Sequence, residues 1–138
     1  MTILDTDIFT LLTKPHPRVA ERCRLCTDRV ALTVITRIET LSGRFAFILK
    51  AVNGNHLRIA QQRLEQSERD LAQFLLVPLD APAADEFDQL LQNKKLKKIG
   101  RADLLIAAVA RSRRATLVTR NLRDFRQVPG LRLENWAD

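Results

Sequence analysis

Tyrosine is absent from this chain, tryptophan occurs once, and of the six phenylalanines only Phe125 falls within the basic stretch 94–132. That scarcity argues against a platform that grips nucleic acid by stacking bases on aromatic rings. Soft metal ligands are equally few: Cys23, Cys26, His16 and His56 are all the chain offers. The cysteines form a C-x-x-C, but no second pair follows and both fall within a helical pattern. Plain reduced thiols are therefore expected in place of a zinc or redox centre. No apolar run approaches the roughly 20 residues of a membrane span. The first residues lack a basic segment leading into an apolar one, so no secretory signal and a cytoplasmic location are expected. Internal repeats, low-complexity tracts and linkers are missing too. The 138 residues suit a single domain, 1–138, that folds without disulfide or metal.

What the chain does have is an uneven charge. Residues 1–93 carry 11 Lys/Arg and 12 Asp/Glu, net −1, whereas residues 94–132 carry 12 Lys/Arg against only Asp103 and Asp124, net +10. Glu134 and Asp138 bring the total to +7. A local excess of that size suits a polyanion held through its phosphates, although a solvated basic surface has the same composition.

Apolar periodicity gives the coarse architecture. Thr2–Leu4 reads as a short buried strand, and Asp5 or Thr6 can cap a helix running to about Leu12. Lys14-Pro15-His16-Pro17 is a break before a second helix, roughly Arg18 to Thr27. "VALTV" at 30–34 is a strand. Ile35, Ile38, Leu41, Phe45, Ile48, Leu49 and Val52 then recur at helical spacing, as do Leu57, Ala60, Leu64, Leu71, Phe74 and Leu75 beyond the Asn53-Gly54-Asn55 turn. "LLVPL" at 75–79 is a strand that Pro78 confines to an edge or an end. A helix over 83–92, a lysine-rich loop, and a helix apolar on nearly every side from Leu104 to Ala110 follow. "ATLVT", a short turn at "LRDF", and "LRLENW" complete the chain. Strands alternating with helices predict an α/β fold, with a mostly parallel central sheet flanked by helices.

In such sheets, sites gather beyond the carboxyl ends of the strands, and that is where acids fall. Asp5 and Asp7 follow the first strand. Glu39 lies early in the helix after the second. Asp103 opens the most apolar helix, and Asn121 and Asp124 follow "ATLVT". Each has an ordinary explanation: a helix cap for Asp5, a dipole partner for Asp103, a solvated face for Glu39, a turn for Asp124. Together they would repel one another by several kcal/mol unless a cation sat among them, since two like charges about 4 Å apart cost roughly 4 kcal/mol even at an effective dielectric near 20. Oxygen ligands without histidine or cysteine favour Mg²⁺, with Mn²⁺ as a substitute. Acids to hold a metal, beside bases to hold phosphate, is the arrangement for phosphodiester hydrolysis.

These residues carry a resemblance. "ILDTDIFTLL", Glu39 within "ITRIETLSGR", "IGRADLLIAAVA" and "ATLVTRNLRDFRQVPGLRLENW" resemble the PIN domain over essentially the whole chain, and more narrowly the VapC-type toxin ribonucleases of toxin–antitoxin pairs. The resemblance implies a PIN-like fold and an endoribonuclease cutting RNA, tRNA among the candidates, to leave 5′-phosphate and 3′-hydroxyl ends. It implies that Asp5 and Asp103 are the principal metal ligands, that Glu39 is a further acid, and that either Asn121 or Asp124 fills the last position. Thr6, Asp7 and Thr119 match polar positions around the pocket. Lys94, Lys95, Lys97, Lys98, Arg101, Arg120 and Arg123 are expected to position the RNA. A homodimer and a small antitoxin protein that occludes the acids are implied by the family alone.

Two other readings stay open. "LDTDIF" also looks like the D-x-D start of haloacid-dehalogenase-type phosphatases, whose first Asp is a nucleophile; Phe9 and the lack of a late acidic pair depart from that pattern. Alternatively, a PIN-like fold with Asn121 in place of an acid could bind RNA or a partner without cutting.

Overall fold

A computed structural model describes all residues, 1–138. Its elements run β1 (Thr2–Leu4), α1 (Thr6–Leu12), α2 (Pro17–Leu25), β2 (Val30–Thr33), α3 (Val34–Leu49), α4 (Gly54–Ala72), β3 (Leu75–Val77), α5 (Ala81–Gln92), a 3₁₀ turn (Lys94–Leu96), α6 (Arg101–Ser112), β4 (Thr116–Val118), α7 (Leu122–Phe125) and β5 (Arg132–Glu134). The strands form one sheet in the order β3-β2-β1-β4-β5, and every neighbouring pair is parallel. The α/β expectation therefore holds. Pro78 follows directly after β3, an edge strand. "LRLENW" pairs only over Arg132–Glu134.

Alternation along the strands separates two cores. Ile3, Ala31 and Leu117 point into one, with Val77 and the buried side of α6 from Leu104 through Ile106 to Ala110. Leu4, Leu32 and Val118 point into the other, against Ile8 and Phe9 of α1, Val19 of α2 and Trp136. Successive strand residues face opposite sides, so each short strand holds helices on both faces. None of the helices is long and apolar enough to cross a membrane.

The helical spacing read between Ile35 and Leu49 is met by α3. The stripe along α3 is not a core stripe: only Ile35 and Thr36 of that helix are buried. Ile38, Phe45, Phe47 and Leu49 are exposed, Leu49 to 86%, and Val52 and Leu57 beyond it are exposed as well. The reason is length. Sixteen helical residues span about 24 Å, whereas a strand of three or four residues spans about 10–13 Å. The α3–α4 pair overshoots the sheet, and its far end packs only on itself, as where Arg63 of α4 lies over Phe47 of α3.

Candidate active site

β1 is central, and its neighbours on either side are reached by chain running in opposite directions across the sheet. A crevice opens at such a switch point, beyond the strand ends. The register puts Leu4 level with both Leu32 and Val118, so the residues that follow, Asp5, Thr33 and Thr119, arrive together at one rim. All three are buried.

Asp5 leaves β1 and caps α1, its Oδ1 accepting from the Ile8 backbone N–H at 2.9 Å. Its own N–H donates to the Val118 carbonyl at 3.0 Å, which ties it to β4. The residue is 5% exposed. Burial pushes its pKa from 3.8 up to about 6; hydrogen bonds from Thr119 and the Ile8 N–H oppose this, and the charges of Asp7 and Asp103 reinforce it. Asp103 lies in the first turn of α6, whose N-cap, Gly100, offers no side-chain acceptor. Burial raises its pKa first; the Asn121 hydrogen bond opposes, and the charges of Glu39, Asp124 and Asp7 push it further up. Asp103 thus feels acids from three different elements. No acid in this group has a salt-bridge partner.

Asn121 links two of the acids. Its Nδ2 donates to Asp124 Oδ2 at 3.0 Å and, more loosely, to Asp103 Oδ2 at 3.4 Å. Its Oδ1 accepts from the Asp124 N–H as the cap of α7. Thr119 in turn accepts from the Asn121 N–H at 2.9 Å. Across the crevice, Thr6 donates to Glu39 Oε1 at 2.6 Å. The Thr6 and Thr36 hydroxyls lie 3.0 Å apart. Because the Thr6 proton is committed to Glu39, Thr36 must be the donor to Thr6. Thr36 is fully buried, and its side chain fixes this two-step chain. It is the residue that sequence reasoning missed; its helical position, one turn before Thr40 and three residues before Glu39, was the only available sign.

Asp5, Asp7, Glu39, Asp103, Asn121, Asp124, Thr6 and Thr119 are therefore brought to one rim. The donor set, carboxylates and amide oxygen only, is of the class that suits Mg²⁺ or Mn²⁺. No three His, Cys, Asp or Glu side chains are arranged to cage an ion as they stand. Mg²⁺ does not need such a cage, since it keeps several waters and is bound through one or two carboxylates plus substrate phosphate. Two mutually repelling, partly dehydrated carboxyls, Asp5 and Asp103, fit that requirement.

The basic segment divides. Lys94, Lys95, Lys97 and Lys98 stand exposed before α6 and Arg101, also exposed, is its first residue, on the acidic side; Arg120 and Arg123 flank Asn121. Arg101 lies over the Phe87 ring at 5.4 Å, and Arg120 pairs with Asp138 at 3.5 Å. Arg111 and Arg113, at the opposite end of α6, pair with Glu86 and Asp80, and Arg132 donates to the Arg114 carbonyl. Arg111, Arg113 and Arg132 hold the fold together away from the acids, so the net +10 of that segment overstates what surrounds the crevice.

Residues 2–131 match the PIN domain family. The chain is 31% identical over 139 residues to the tRNA(fMet)-specific endonuclease VapC of Salmonella typhimurium, covering 98% of this chain and 97% of that one. It is 31% identical over 145 residues to ribonuclease VapC1 of Haemophilus influenzae, with 98% and 97% covered. A crystal structure of DNA-bound VapBC from Salmonella typhimurium superposes with a TM-score of 0.82 at 29% identity, covering 98% of this chain and 97% of the other. A five-stranded parallel sheet in this order, acids at its switch point, and likeness over nearly the full length of these proteins agree: the chain is a PIN domain and belongs to the VapC family of ribonuclease toxins.

Proposed function

We propose that this protein is a Mg²⁺-dependent endoribonuclease and the toxin of a toxin–antitoxin pair. The observation that carries the reading is the convergence on Asp103: acids delivered by α1, α3 and α7 all raise its pKa, an arrangement unfavourable in itself and relieved by a dication. Asp5 and Asp103 would hold the ion, with Asp124 and Glu39 contributing directly or through water. A cation bound there would lower the pKa of a water and polarise the scissile phosphate. Thr36 and Thr6 aim Glu39, and Asn121 holds Asp103 and Asp124 at a fixed separation. A carboxylate in this ring would orient the water for in-line attack, which would leave 5′-phosphate and 3′-hydroxyl ends. Lys94, Lys95, Lys97, Lys98 and Arg123 steer and hold the RNA backbone. Relatives named as tRNA(fMet) endonucleases make tRNA the first substrate to test.

The partner reading rests on the overshooting helices. A structural neighbour is a VapBC assembly, and the exposed apolar residues of α3 and its extension, Ile38, Phe45, Leu49 and Val52, are what a protein partner would cover. A small antitoxin and a second copy of this chain are the partners proposed.

The test is cleavage of purified tRNA, rRNA and mRNA with Mg²⁺ or Mn²⁺. Wild type is expected to cut at least one, and Asp5→Asn and Asp103→Asn to bind RNA but not cut it. A wild-type protein that cuts none of them would overturn the proposal in favour of a binding role.

A further inference from the structure

Beside the acids, on the side away from Lys94–Arg101, a groove of about 590 Å³ runs between α1, α3 and α4. Its walls are Thr6, Thr10, Lys14, Glu39, Thr40, Gly43, Arg44 and Arg63, with no hydrophobic side chain among them. That composition is unusual here, because the other grooves of this face are lined mostly or half by apolar residues. Thr6 and Glu39 belong at once to the groove and to the acidic crevice, so the two are continuous.

Three cations face one acid. None of the three forms a salt bridge. The Arg44 Nε donates to the Ser67 hydroxyl at 2.8 Å, Ser67 being buried, so Arg44 is braced by α4 with its remaining donors free. Arg63 lies over the Phe47 ring at 5.0 Å. Lys14 is exposed at the end of α1. Regional charge counting cannot find this set, because all three fall in the segment of net −1.

We propose that Lys14, Arg44 and Arg63 form a phosphate-binding track that seats the RNA strand on one side of the scissile bond, opposite the lysines that precede α6. This rests on the ribonuclease reading and adds the path of the strand. A ring of carboxylates repels RNA, and cations on one flank alone would anchor only one end. Cations on both flanks hold the strand across the crevice with its phosphate over Asp5 and Asp103. Guanidinium groups suit the task, since they bind phosphate through two parallel N–H donors. The polar walls leave no apolar pocket for side chains of a protein ligand, which favours RNA over an acidic peptide.

The experiment has two arms. In EDTA, binding of a short fluorescent oligouridylate is measured against salt between about 50 and 200 mM. Lys14→Ala/Arg63→Ala is compared with wild type and with Arg58→Ala/Arg69→Ala, a pair of exposed α4 cations that removes the same charge elsewhere. Each lost phosphate contact to a single strand lowers the log–log salt slope by about 0.7, so the groove pair is expected to lower it by about 1.4 and the control pair not at all. In Mg²⁺, the groove pair is expected to raise KM for tRNA with kcat retained. A wild-type slope for the groove pair, or an equal drop in both pairs, overturns the track while leaving cleavage by wild type to stand. Oligoglutamate binding that is lost in the groove pair, with RNA binding intact, would reassign the groove to a protein segment and also overturn it. Failure of wild type to bind or cut RNA removes the ribonuclease reading itself, and the track with it.

Discussion

Replacing Asp5 with asparagine should make the metal-free protein more stable, and only above a certain pH. Burial holds the folded-state pKa of Asp5 at about 6, against 3.8 ordinarily. Below pH 3.8 the carboxyl is protonated in both states and costs nothing. As pH rises the unfolded chain ionises first, and stability is lost until the pH passes about 6. At about 1.4 kcal/mol per pH unit, the gap between 3.8 and about 6 corresponds to about 3 kcal/mol of destabilisation at pH 8. The residue is 5% exposed, so solvent screening does little to reduce this figure. Asparagine caps a helix about as well as aspartate and can still accept from the Ile8 N–H, but carries no charge. Urea unfolding in EDTA should therefore find Asp5→Asn more stable than wild type by up to about 3 kcal/mol at pH 8, a rise in Tm on the order of 10 °C. The difference should shrink to about 0.5 kcal/mol at pH 4 and vanish below it. A variant less stable than wild type at pH 8, or a difference that persists unchanged at pH 4, would refute the argument that Asp5 is a buried charge held in reserve for a cation.

Thr36→Val should remove the donor to Thr6 and loosen Glu39. Circular-dichroism melts should show a loss of about 1 kcal/mol, and cleavage should fall on the order of 10-fold, as when support behind a metal ligand is lost; Thr36→Ser should restore it. Phe125 is fully buried and anchors the four-residue α7 that carries Asp124. Phe125→Ala should cost about 3–5 kcal/mol in urea unfolding, and Phe125→Leu less than about 1.5 kcal/mol.

The parallel sheet and the order of the acids were legible because each rests on local chemistry. "TIL", "VALT" and "TLV" are short apolar strands, and Asp5, Asp103 and Asn121 begin the elements that follow strands or open helices. The apolar stripe of α3 was legible as a helix, but periodicity reports which face is apolar and not what covers it; Phe45 and Leu49 keep helical spacing and are exposed. The groove cations and Thr36 were invisible for a different reason. Lys14, Arg44 and Arg63 meet only because α1, α3 and α4 pack together, and nothing local marks them. The resemblance named the acids; the relay behind Glu39 and the bridge from Asn121 came from geometry.

Titration of Mn²⁺ into wild type and Asp103→Asn, followed by calorimetry, tests the central claim most directly. Wild type should give a saturable binding heat that the variant lacks, with both proteins equally folded. Equal heats from the two proteins, or none from wild type, would contradict the claim that this ring of carboxylates is built around a hard dication.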